Sequence, residues 1–187
     1  MIAVLSVYMS TNGCVEGQLS STYVEQFLRK NGQLVTGDPT HADLIIFYAC
    51  GLTNQREKES LMIIRKLQAK MKPGTQFIVW GCLPKINPQA LAAIHNGPVL
   101  GPLETSFFEN IIGKISVPFD NIERAYPANR LVPREGSGLD THADPFTDTI
   151  LLLKRRYDML LGRAGKCMRY FIRVAVGCTG HCTYCSE

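Results

Sequence analysis

Along the first 117 residues, short apolar runs of strand length alternate with longer stretches in which apolar residues recur at helical spacing. Residues 2–8 form the first such run. A helix over 22–30 follows, with Ser20 or Ser21 as its cap and Asn31-Gly32 as its stop. Residues 43–49 (Asp-Leu-Ile-Ile-Phe-Tyr-Ala) are rich in β-branched and aromatic side chains and predict a buried strand. Thr53 or Asn54 opens a long helix carrying Leu61, Ile64, Leu67, Gln68 and Met71, which Lys72-Pro73-Gly74 ends. Residues 76–80 predict another strand. Asn87-Pro88 starts a helix to Gly97, with proline at the tolerated first position. Val99-Leu100 is a short strand, and Thr105 caps a helix to Ile112. This alternation predicts an α/β fold: an open, mostly parallel sheet of four to five strands with flanking helices.

Beyond it, Pro118, Pro127, Pro133, Gly136, Gly138 and Pro145 mark a linker over 118–145. Residues 146–161 fit an amphipathic helix, and residues 169–176 alternate basic and apolar positions as a strand does. The expected organisation is an α/β domain over 1–117, the linker, and a further unit over 146–187.

Hydrophobic residues make up 45% of the chain, and no apolar run approaches the roughly 18–20 residues of a membrane span. With no basic leader at the N-terminus, the expectation is a soluble, cytoplasmic protein without a membrane partner. Thiols stay reduced in that compartment, so clustered cysteines read as metal ligands rather than disulfides. The net charge of +4 is uneven: Lys154, Arg155, Arg156, Arg163, Lys166, Arg169 and Arg173 face Asp158 alone. That stretch is either a solvated helix face or a phosphate-contacting surface for RNA.

Six of the seven cysteines fall into two sets of three. Cys14, Cys50 and Cys82 each follow a predicted strand. In an open parallel sheet, the loops at the carboxyl ends of the strands gather on one edge, where ligands bind. Three cysteines without a local motif can therefore converge there, each beside a glycine (Gly13, Gly51, Gly81) that permits close backbone approach. The alternatives are ordinary buried thiols or a zinc site, which needs a fourth ligand such as His41 or His95.

Cys178, Cys182 and Cys185 form a CxxxCxxC motif. Three thiolates on this spacing suit a 4Fe–4S cluster with one iron left open, and that iron can chelate the amino and carboxylate groups of S-adenosylmethionine for reductive cleavage to a radical. Tyr184 fits an aromatic position beside the adenine. A zinc knuckle using His181 is the rival reading. Cys167 lies outside both sets and reads as an ordinary thiol.

These motifs together resemble the radical S-adenosylmethionine methylthiotransferase family. Thr11-Asn-Gly-Cys14 resembles its first cysteine loop, and 42–50 its second strand and cysteine. Thr53-Asn54 with Glu57, Glu59 and Ser60 resembles the following helix, Gly81-Cys82-Leu83 with Pro88 the third loop, and 176–185 the radical motif. The resemblance implies an auxiliary 4Fe–4S cluster on Cys14, Cys50 and Cys82, whose open iron carries the sulfur. It implies a radical-generating cluster on Cys178, Cys182 and Cys185, with Tyr184 at the cofactor. S-adenosyl-L-methionine would supply both methyl group and radical, and a flavodoxin or ferredoxin the electrons. The implied reaction inserts a methylthio group at an unactivated C–H of a tRNA adenosine or of a ribosomal protein. The helix after Cys50 is nearer the branch acting on threonylcarbamoyladenosine.

Gly17 stands where that family often has asparagine, and Ser20 where an acidic residue is usual. The sequence ends two residues after Cys185, so the unit over 146–187 is expected to be the first strand and cluster loop of a truncated radical barrel, inactive by itself. A non-catalytic iron–sulfur or sulfur-carrier module and a zinc-binding RNA-interaction protein are the other readings.

Overall fold

The computed structural model describes residues 4–113 and 115–122. Five strands, β1 (Ser6–Thr11), β2 (Leu34–Thr36), β3 (Leu44–Ala49), β4 (Gln76–Gly81) and β5 (Val99–Leu100), form one sheet in the order β2-β1-β3-β4-β5. Every neighbouring pair is parallel. The open parallel α/β sheet expected from the alternation is therefore what forms.

The central strand shows why. All six residues of β3 are buried, because β1 and β4 flank it and helices cover both of its faces, which demands a continuous apolar run. Leu44, Ile46 and Tyr48 turn to one face, where they pack with Ile78 and Trp80 of β4 and with Tyr23, Val24, Phe27 and Leu28 of helix α1 (Val15–Lys30). Helix α5 (Phe107–Ile112) adds Phe108 and Ile112 to that layer. Ile45, Phe47 and Ala49 turn to the other, against Ile63, Ile64 and Leu67 of helix α2 (Asn54–Lys70). Two short helices, α3 (Leu83–Ile86) and α4 (Pro88–Ala92), supply Leu83 and Leu91 to this second layer.

Several elements differ from expectation. The first strand lies at Ser6–Thr11, later than residues 2–8, and places its last residues beside Phe47 and Tyr48. Helix α1 begins at Val15, directly after Cys14, rather than at Thr22. Ser20 and Ser21, the expected caps, lie inside it; the Ser21 hydroxyl, like that of Thr22, donates back to a carbonyl one turn earlier, of Gly17 and Gln18 respectively, the competing use of a short hydroxyl side chain. Strand β2 and helix α3 have no counterpart in the sequence reading. The helix from Asn87 stops at Ala92, short of Gly97, and α5 begins two residues after Thr105.

Thr53 does cap α2, its Oγ1 accepting from Arg56 N at 3.2 Å. Asn31 ends α1 and holds the chain after α5: its Oδ1 accepts from Ser116 N and Val117 N, and its Nδ2 donates to Val117 O. Packing continues past residue 117, since Phe119 and Ile122 are buried and Tyr23 donates its hydroxyl to their carbonyls. The amphipathic helix and strand expected after the linker, the basic stretch 154–173, Cys167, Tyr184 and the CxxxCxxC motif lie outside the described residues.

Candidate functional site

In the order β2-β1-β3-β4-β5 the chain leaves β1 toward one edge and returns to β3 on the other side. The loops after β1 and β3 therefore diverge and open a crevice at the carboxyl ends of those strands, the place where such sheets bind ligands. Cys14 lies in the first of these loops and Cys50 directly ends β3. Cys82 follows β4, the next strand along. The three cysteines thus share one edge of the sheet. All three are free thiols; Cys14 is exposed, Cys82 half-buried and Cys50 buried. Among the described residues no three His, Cys, Asp or Glu side chains are drawn together as a metal-ligand set.

Tyr48 lies at this edge, against Cys82. Its ring is buried and meets Trp80 edge-on, with centroids 4.9 Å apart. Its hydroxyl lies 3.7 Å from Cys82 Sγ. Burial is the main cause pushing its phenol above the usual range, followed by the charge and hydrogen bond of Cys82 and then by the charges of Cys14 and Cys50.

Glycines make room for that ring. A Cβ on Gly17 would stand 2.5 Å from Tyr48 Cε1, and one on Gly13 3.0 Å from Cδ1. Gly81, at φ +120°, would place a Cβ 2.8 Å from Ala49 O and 3.0 Å from Tyr48 Cε1. The positive φ and the backbone contact both select glycine one residue before Cys82.

A buried polar network holds the crevice from the α2 side. Asn12 is fully buried, and its Oδ1 accepts from Cys50 N at 3.0 Å. Its Nδ2 donates to Ser60 Oγ at 2.8 Å and Arg56 O at 3.3 Å. The Ser60 hydroxyl reaches Cys50 O at 2.7 Å and Asn12 Oδ1 at 3.1 Å; its single proton serves the shorter contact. Nearby, Arg56 Nη1 pairs with buried Glu59 at 2.7 Å. The loops after β1 and β3 and the first turns of α2 are thereby fixed to one another.

The two histidines weighed as fourth zinc ligands lie elsewhere. His41 precedes β3 and pairs through Nδ1 with Asp38 Oδ2 at 2.9 Å. His95 packs against Phe77, near the start of β4, at 5.0 Å between ring centroids. Both belong to the edge opposite the cysteines. Tyr48, Asn12 and Ser60 were not singled out as site residues in the sequence. Tyr48 is hidden inside an apolar strand, and the signal for Asn12 is its place in the Thr11-Asn-Gly-Cys14 loop that carries the resemblance.

Soft thiol donors suit zinc and iron–sulfur clusters. Three such donors share one sheet edge, beside glycines that keep the backbone slim, a donor type that suits such groups, although the described residues do not draw them together into one ligand set. Free thiols at the switch point of a doubly wound parallel sheet define the class as an α/β domain with a cysteine-lined ligand edge.

A family model described as "Uncharacterized protein family UPF0004" matches residues 6–100. The chain is similar to the "tRNA-2-methylthio-N(6)-dimethylallyladenosine synthase" of Thermodesulfovibrio yellowstonii, 25% identical over 96% of this chain and 36% of that protein. It is 27% identical to the "Probable threonylcarbamoyladenosine tRNA methylthiotransferase" of Methanothermobacter thermautotrophicus, over 97% of this chain and 36% of that protein. A third relative is the "Ribosomal protein uS12 methylthiotransferase RimO" of Chloroflexus aurantiacus, 20% identical over 97% and 38%. The chain belongs to the UPF0004 family, the methylthiotransferase family of these relatives. It spans little more than a third of their length.

Proposed function

We propose that Cys14, Cys50 and Cys82 hold an auxiliary 4Fe–4S cluster, and that Cys178, Cys182 and Cys185 hold a second, in a radical methylthiotransferase acting on a tRNA adenosine. The observation that carries this reading is that three free thiols lie at strand ends on one edge of the sheet, in a chain whose relatives are methylthiotransferases. When bound, such clusters supply one-electron chemistry and, where a ligand is missing, an open iron.

The chain's own residues have separate tasks in this reading. Asn12 and Ser60 fix the backbone of Cys50, so that one ligand is rigid. Cys14 is exposed at the start of α1 and leaves the site open on that side. Tyr184 would help hold S-adenosylmethionine. Residues 1–117, 118–145 and 146–187 serve as cysteine domain, linker and start of the radical core, and a flavodoxin or ferredoxin supplies electrons in the cytoplasm.

Disrupting the gene for this chain in its host and analysing hydrolysed tRNA by mass spectrometry tests the reading. Loss of 2-methylthioadenosines supports it. If tRNA is unchanged and a ribosomal protein instead loses the mass of a methylthio group, the substrate is a protein. If neither changes, the enzymatic reading fails. A non-catalytic iron–sulfur or sulfur-carrier module is then favoured.

A further inference from the structure

We propose that Tyr48 is a positioning residue of the three-cysteine site, its phenol hydroxyl donating a hydrogen bond to the Cys82 sulfur and so tuning the reduction potential of the group held there. The inference rests on the cluster reading above, but it is carried by separate geometry.

A buried phenol needs a hydrogen-bond partner, and the polar atom set against the Tyr48 hydroxyl is Cys82 Sγ at 3.7 Å. As drawn, either atom is able to donate. Once Cys82 is a ligand it is a thiolate with no proton to give, so the direction is fixed: Tyr48 donates and sulfur accepts. The side chain has little freedom to do anything else. Gly13, Gly17 and Gly81 crowd its ring so closely that a methyl group on any of them would come within 3.0 Å of it, while Trp80 lies edge-on to it. Two of those glycines lie in or just after the Cys14 loop and the third immediately precedes Cys82. The ring is thus held by the same segments that carry two of the ligands.

Hydrogen bonds to cluster sulfurs and thiolates favour the reduced, more negatively charged state and raise the potential. Gly17 gains a reason from this arrangement: a side chain there would occupy the space of the ring.

The test compares the full chain with its Tyr48→Phe variant, both carrying Cys178→Ala, Cys182→Ala and Cys185→Ala so that one site remains. After anaerobic reconstitution, iron and sulfide are counted and the midpoint potential is measured by dye-mediated titration. Phenylalanine keeps the ring in its cradle and removes only the hydroxyl. The proposal predicts equal iron content and a more negative midpoint in Tyr48→Phe. An unchanged midpoint at equal iron overturns it, and so does loss of iron from a variant that keeps its circular dichroism, because the hydroxyl would then be needed for assembly rather than tuning. If the Tyr48 parent itself takes up no iron, the cluster reading fails and this inference falls with it.

Discussion

Gly17 and Tyr48 exclude one another's side chains: a Cβ on Gly17 would lie 2.5 Å from Cε1, 2.8 Å from Cδ1 and 3.2 Å from Cζ of the tyrosine ring. A glycine in the first turns of a helix is otherwise a cost, so the contact explains its presence in α1. The same ring reaches Cys82, which makes this packing part of the cysteine edge.

Helix propensity alone predicts that Gly17→Ala stabilises the chain by up to about 1 kcal/mol. The contact predicts the reverse, a loss of about 1–3 kcal/mol from overpacking. In a Tyr48→Ala background the loss should vanish, so a double-mutant cycle read by urea denaturation gives a coupling of at least about 1 kcal/mol. Additive effects would contradict the contact.

Asn12→Ala leaves the buried Cys50 N–H without its acceptor and the Ser60 oxygen without its Nδ2 donor. The expected cost is about 1–3 kcal/mol in denaturant unfolding. Asn12→Asp keeps the acceptor but loses the Nδ2 donations to Ser60 and Arg56 O and buries a charge, so it should be at least as damaging. A near-neutral Asn12→Ala would show that the network does not hold Cys50.

Burial holds the His95 imidazole below its usual value of 6.5, against a smaller upward effect of its contact with Pro98 O. The folded protein then binds this proton less readily than the unfolded chain. The stability His95 contributes is complete above about pH 6.5 and is lost as pH falls from there through the lower folded value. Urea midpoints measured from about pH 8 to 5 should fall with acid, and fall less in His95→Gln. An equal slope in both proteins would remove His95 from the acid response.

At the other edge of the sheet, Asp38 is held at about 2, first by the Thr40 backbone N–H, then by the Thr40 hydroxyl and His41. Its capping of the turn at Pro39–His41 is in force above the unfolded value near 3.9 and is lost as pH falls toward 2. A side-chain carboxylate titration by NMR should find Asp38 ionised at pH 3. A midpoint near 4 would mean that the turn is not formed in solution.

The parts of the fold legible in the sequence are those governed by burial on both faces or by a local cap. Strand β3 is an unbroken apolar run because nothing polar fits between two helix layers, and Thr53 reveals the start of α2 by its own hydrogen bond. Strand β2 was not legible: it is three residues long, at the sheet edge, with Leu34 exposed. The start of α1 was obscured by Ser20 and Ser21, which resemble caps but lie within the helix, Ser21 bonding back to Gly17 O. At the cysteine edge, the shared strand-end positions of Cys14, Cys50 and Cys82 were readable from spacing. Tyr48 was not, because its role depends on Gly13, Gly17 and Gly81, each more than thirty positions away. Asn12 and Ser60 likewise meet only through the crossing of β1 and α2, 48 positions apart.

Metal analysis shows whether the strand-end cysteines hold an iron–sulfur cluster. The full chain carrying Cys178→Ala, Cys182→Ala and Cys185→Ala, reconstituted anaerobically, should bind about four irons with matching sulfide, against roughly eight in the unaltered chain. Adding Cys14→Ala, an exposed position outside the apolar core, should abolish that iron and its visible absorption. Zinc in place of iron, or iron unaffected by Cys14→Ala, would contradict the claim.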